Sequence, residues 1–284
     1  MSQSQEDRKQ PSPKEIKELI WKLSPLQKKF EETSWSRNHP DEREQTFDKY
    51  ISKTARGTNP KINTIYVQQI GGLSDTQGKV VDSVLEFLEV FFCSQVKRFE
   101  PLGLDSIPQT AKRTHPEWGD KQILSTYILD KVLLPRKPKD AIAVLGLTAS
   151  DLWPEKGWNF VFGQASLYER VGVWSVYRYG NPDADEESYH RFFLRTLKVA
   201  LHETGHMYGI EHCISFKCGM NGSNSLPETD DSPIVFCSEC SAKIWYKTGA
   251  DPAEWSLELA KLAVNCKLKD EAEYWNKSAK LLGK

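Results

Sequence analysis

Long apolar runs are missing from this sequence of 284 residues. The longest, around Val80 to Phe92 and Ala141 to Leu147, are too interrupted or too short to span a bilayer, so no membrane association is expected. The opening residues are polar, without the apolar segment of a secretory signal, which predicts an intracellular, cytoplasmic protein. Neither charge dominates: 38 Lys+Arg stand against 39 Asp+Glu, and no basic run is interleaved with aromatics. Nucleic acid is therefore not an expected partner. There are no internal repeats and no long low-complexity segment. Wholesale disorder is excluded by a hydrophobic content of 39% and nine Trp.

What is present is unevenly placed. Three of the six His, four of the six Cys and two of the three Met fall between His202 and Cys240. In a reducing compartment such a cluster points to metal rather than to disulfides.

Periodicity supplies the frame. Residues 1–58 form a polar arm in which Ile16, Leu19, Ile20 and Leu23 recur at helical spacing, read as a surface helix and linker packed loosely on the rest. The arm has no cysteine with which to block a metal site. Strands are predicted at Ile62–Val67, Val96–Phe99, Ala141–Leu147, Phe160–Leu167 and Val171–Tyr179. Helices are predicted over Val80–Phe92, over Ile123–Leu133, from about Tyr189, and within Ala253–Leu282. The unbroken apolar run at Ala141–Leu147 is typical of a strand buried on both faces. Strands alternating with helices indicate an α/β domain with a mostly parallel sheet. The acidic stretch Pro182–Ser188 reads as a helix start matched to the macrodipole, in preference to a substrate-selecting patch.

The chemistry lies in His202-Glu203-Thr204-Gly205-His206-Met207-Tyr208-Gly209-Ile210-Glu211-His212. Its first five residues fit H-E-x-x-H. Four residues turn an α-helix by about 400°, so His202 and His206 share one face and can reach one zinc ion. Glu203, about 100° away, is placed to act on water at that ion without being a ligand. His212 would be off that face on a continued helix. Gly209 can end the helix and let the chain turn, returning His212 as a third ligand. Three protein ligands and one open position are the catalytic arrangement of zinc. The mechanism implied is amide hydrolysis by a zinc-activated water, with Glu203 as general base and then as acid to the leaving amine.

Cys213, Cys218, Cys237 and Cys240 follow within 28 residues (213 to 240). Together they predict a closed tetrathiolate zinc site of structural purpose. A redox role for the C-x-x-C pair would leave Cys213 and Cys218 unexplained. Cys93 and Cys266 read as buried core residues. Met220, in a turn-rich segment, is placed to lie beneath the imidazoles as a soft apolar floor.

The pattern H-E-x-x-H-x-x-G-x-x-H-C, a second Cys, a Met two residues later and a distal C-x-x-C resembles the archaemetzincins, a branch of the metzincin zinc metalloproteases. Thr196-Leu197-Lys198 and Phe160-Val161-Phe162-Gly163-Gln164-Ala165-Ser166-Leu167 also look like that family. The resemblance runs from about Ile62 to Trp245. It implies a twisted, mostly parallel sheet with one antiparallel edge strand, near Phe160–Leu167, that an extended peptide can pair with. It also implies an active-site helix and a small zinc-stapled helical C-terminal subdomain. Two zinc ions per chain would be held, one by His202, His206 and His212 and one by Cys213, Cys218, Cys237 and Cys240, with Glu203 catalytic. Some metzincins place a Tyr after the Met-turn methionine; Asn221 stands there instead. The expected organisation is an arm (1–58), a catalytic domain (59–250) and a helical segment (251–284), acting as a monomer on a peptide or protein substrate. The competing expectation is a non-enzymatic, zinc-stapled peptide-binding module.

Overall fold

In the computed structural model, residues 10–54 and 62–284 are described. The expected start of the catalytic domain at residue 59 lies outside them. The arm carries three short helices, α1 (Pro13–Lys22), α2 (Ser34–Asn38) and α3 (Phe47–Lys53), capped by Ser12, Thr33 and Thr46. Strand β1 (Thr64–Ile70) leads through the N-cap Ser74 into α4 (Asp75–Phe91), which returns to β2 (Gln95–Arg98). Further along lie β3 (Lys112–Thr114), β4 (Lys121–Leu124) and a short α5 (Ser125–Tyr127), which runs on as a π-helical turn over Ile128–Leu133. Then come β5 (Ala141–Thr148), β6 (Asp151–Trp153), β7 (Gly163–Ser166) and β8 (Val171–Ser175). The chain ends in helices: α6 (Glu186–Met207), α7 (Leu226–Asp231), α8 (Ser238–Thr248), α9 (Pro252–Asn265) and α10 (Lys269–Leu282).

The main sheet has the order β2-β1-β5-β8-β7; all its pairs are parallel except β7 with β8, which is antiparallel and forms one edge. Every residue of β5 is buried, because each face of the sheet is covered. Ile142, Leu145 and Leu147 join the large core under α4, α6 and the C-terminal helices, while Ala141 and Val144 join the smaller one around Ile128 and Leu133. The fold is the expected mixed α/β one, mostly parallel with an antiparallel edge.

Three expectations change. The segment 123–133 is not one helix: Gln122, Ile123 and Leu124 pair in parallel with Asp151, Leu152 and Trp153, making β4 the middle of a second sheet, β3-β4-β6. The edge strand is shorter than expected, since Val161 bridges to Leu152 of that second sheet before Gly163 joins the first. The arm is not loosely packed, because Ile16, Leu23, Phe47 and Tyr50 are buried in the large core. No described helix is long and apolar enough to cross a membrane.

Candidate active site and metal centres

Helix α6 carries the first two histidines. Asp185 caps it, accepting from Ser188 N at 2.7 Å, and Glu186 and Glu187 occupy the first turn, so the acidic stretch serves the helix start. At the other end Gly209 N donates to His206 O (2.8 Å) and Ile210 N to Gly205 O (3.1 Å), with Gly209 left-handed at φ +84°. This is a Schellman closure, and it reverses the chain immediately after the helix. His212 thereby returns to the helix face, and the ligand-capable nitrogens of His202, His206 and His212 lie within 4.8 Å of one another.

The rings are oriented from behind. Gly219 O accepts from His202 Nδ1 (3.0 Å), Ile210 O from His206 Nδ1 (2.7 Å), and the Glu42 carboxylate from His212 Nδ1 (2.6 Å). Carbonyl and carboxylate oxygens only accept, so the Nδ1 atoms bear the protons and the Nε2 lone pairs are free. Nε2 of His202 and Nε2 of His206 are 3.0 Å apart. Two ligands at about 2.0–2.1 Å on a tetrahedral ion would stand about 3.3 Å apart, so the spacing fits a zinc chelate. Burial lowers the His202 pKa to about 3 and holds that of His206 well below its ordinary value, which keeps both imidazoles neutral.

Two glycines make room for this arrangement. A Cβ on Gly205, one residue before His206, would lie 2.5 Å from Met220 Sδ, so Met220 sits directly under the turn that carries the histidines. A Cβ on Gly163 would lie 2.6 Å from Glu203 Oε1, so the carboxyl packs against the edge strand. Burial raises the Glu203 pKa to about 8. His202, Glu203, His206 and His212 all line one cleft of about 970 Å³, which β7 borders through Gly163, Gln164 and Ala165. Lys198, also on this cleft, closes the end of α7 by donating to Thr229 O and Asp230 O.

The four clustered cysteines also converge. Their sulfurs lie within 4.8 Å of one another, and no disulfide joins them. The Sγ atoms of Cys213 and Cys237 are 3.8 Å apart, close to the about 3.8 Å expected of two sulfurs at about 2.3 Å on a tetrahedral zinc. Met220 N (3.4 Å) and Cys237 N (3.2 Å) point at Cys218 Sγ, and the buried Lys243 ammonium is 3.9 Å from Cys240 Sγ. These donors suit a cluster carrying excess negative charge. Asn221 braces the loop: its Oδ1 accepts from Cys218 N, and its Nδ2 donates to Cys213 O and Phe216 O. Cys93 and Cys266 are half-buried at the margin of the large core rather than inside it, Cys93 just past the C-cap of α4 and Cys266 at the C-cap of α9.

With this geometry described, known proteins give it a family. Residues 136–245 match peptidase family M54. Human archaemetzincin-2 is 32% identical over 249 residues, a match covering 76% of this chain and 68% of that protein. The chain belongs to the archaemetzincin family. Among archaeal archaemetzincins, that of Archaeoglobus fulgidus is 43% identical over 126 residues, covering 44% of this chain and 71% of its own. The solved structure of that protein with malonate is 31% identical, covers 63% of this chain and 99% of its own, and superposes with a TM-score of 0.50. The archaemetzincin structure from Methanopyrus kandleri is 30% identical, covers 66% and 95%, and gives 0.52. As an archaemetzincin the chain is a zinc metallopeptidase, and a purely structural binding module is not the favoured description.

Among the described residues, the three histidines that the fold brings together, His202, His206 and His212, all fall within the spacing read from residues 202–212. Sequence reading missed Glu42 and Trp35, which reach His212 from the arm. A contact spanning 170 positions leaves no periodic signal. Gly163 was legible only as part of a family-like string.

Proposed function

We propose that this chain hydrolyses peptide bonds with one zinc ion held by Nε2 of His202, His206 and His212, and Glu203 as general base. A second zinc ion, held by Cys213, Cys218, Cys237 and Cys240, staples the chain behind the site. The observation that carries this reading is the convergence of three imidazoles, each anchored at Nδ1, on the cleft that also holds the Glu203 carboxyl. Zinc in that position would supply Lewis-acid polarisation of the scissile carbonyl and a lowered pKa for water.

The protein's own groups do the rest. An extended substrate lies along the free edge of β7, where main-chain pairing fixes its backbone whatever its side chains. Glu203 takes a proton from the attacking water onto a carboxylate oxygen and delivers it to the leaving amine nitrogen. Burial raises its pKa above the usual carboxylate range, which makes it the stronger base toward the water proton. Asn221 is not available as an oxyanion donor, because its amide hydrogens are committed to Cys213 O and Phe216 O.

The test is Glu203→Gln. It is expected to keep two zinc ions per chain by elemental analysis and to lose peptide cleavage by about 10²–10⁴-fold, the usual worth of a general base. Cleavage at the parent rate would remove Glu203 from the mechanism, and a single zinc per chain would remove one centre.

A further inference from the structure

We propose that Glu42 is a positioning residue of the peptidase site, fixing His212 for metal binding and making the N-terminal arm a working part of that site. The inference rests on the reading of His212 as a zinc ligand.

The three histidines are not held alike. His202 and His206 stand on α6, and their Nδ1 atoms are anchored by main-chain carbonyls of residues 219 and 210. His212 lies beyond the helix end, where no regular structure sets its ring. Its Nδ1 meets a carboxylate brought from the arm, Glu42 Oε1 at 2.6 Å, on a pair whose side chains are only 20% and 25% exposed. A charged acceptor at Nδ1 fixes the tautomer and makes the far nitrogen a better donor to a cation. Because Glu42 holds Nδ1, the ring edge opposite Nε2, it does not occupy the ligand position itself.

Glu42 is in turn built in from both sides. Its Oε2 accepts from Trp35 Nε1 at 3.1 Å. The Trp35 indole stacks on His39 at 3.8 Å, meets the His212 ring edge-on at 4.9 Å, and fills the space over Gly222 where any Cβ would fall within the indole. Gln45 clamps the turn leading to His212: its Nε2 donates to Gly209 O (3.0 Å), and its Oε1 accepts from Glu211 N (3.1 Å). Arm residues therefore hold the turn, the ring and the carboxylate together. A passive linker would need none of these contacts.

Both Glu42 oxygens accept, whereas a glutamine has one acceptor oxygen, so Glu42→Gln must give up either His212 or Trp35 while keeping its volume. In the full chain we expect Glu42→Gln to weaken zinc binding at the histidine site by about 10–100-fold, measured by competition with a chelator of known affinity. The cobalt(II)-substituted variant should show an altered visible spectrum from the histidine site and unchanged sulfur-to-cobalt absorption from the cysteine site. Unchanged affinity in both Glu42→Gln and Glu42→Ala, with metal lost in His212→Ala, overturns the proposal and leaves the ligand assignment intact. Parent affinity in His212→Ala overturns that assignment instead. Equal losses at both sites in Glu42→Gln would mark general unfolding and also overturn the proposal.

Discussion

Gly163 shows how little space separates a side chain that works from one that is displaced. It pairs with Trp174 across the sheet edge, and the Cγ, Cδ and Oε1 atoms of Glu203 stand 2.6–2.8 Å from where its Cβ would be. Alanine keeps the strand backbone, so the cost of Gly163→Ala is the crowding of one buried side chain, about 1–3 kcal/mol. It must push the Glu203 carboxyl aside. A misplacement of about 1 Å in a catalytic group can cost about 100-fold in rate. We expect Gly163→Ala to stay folded and keep its zinc, with Tm lowered by about 2–12 °C, while kcat falls by about 10–100-fold, read by steady-state cleavage of a peptide alongside metal analysis. A variant with parent kcat would show that the carboxyl has room to work elsewhere.

At the scale of elements, the turn after α6 converts a sequence pattern into a site. Gly209 is left-handed, and among the described residues its Cβ position meets Tyr50 at 3.6 Å and Thr54 Oγ1 at 3.7 Å, ordinary contacts. The cost of Gly209→Ala is therefore backbone strain, about 1–2 kcal/mol. That corresponds to a fall in Tm of about 2–8 °C, using about 2–4 °C per kcal/mol for a chain approaching this size. Thermal unfolding of the zinc-loaded protein checks it, and an unchanged Tm would mean that the closure tolerates a right-handed residue. The Gln45 clamp on this turn could not be read in advance, but the turn itself could, because the two main-chain bonds that close it are local, Gly209 N to His206 O and Ile210 N to Gly205 O. The same holds for β5, whose apolar run declares two covered faces. Ile123 and Leu124 could not be read in that way, since their pairing with Leu152 and Trp153 depends on a segment nearly 30 residues away. Apolar residues at helical spacing fit a strand edge equally well when a distant partner decides. Trp35 and Glu42 are the extreme case, polar-arm residues given meaning only by a fold that returns them to His212.

For the whole molecule, the two proposed metal centres occupy unlike surroundings and should respond differently to metal removal. The histidine cluster opens on the cleft, whereas Cys218, Cys237 and Cys240 are no more than 2% exposed and Cys213 is 8% exposed. The cysteine centre ties the segment just after α6 to the start of α8, so it joins the site to the C-terminal helices. A chelator should first abolish cleavage with one zinc lost and far-ultraviolet circular dichroism unchanged, and added zinc should restore activity. Removing the second ion, by a thiol-modifying reagent or prolonged chelation near the unfolding temperature, should remove folding energy as well, because structural zinc contributes to stability directly. Even a loss of about 4 kcal/mol lowers Tm by about 8–16 °C. Activity and structure lost together, in a single step with both ions, would show that the two centres do not divide the work of catalysis and folding between them.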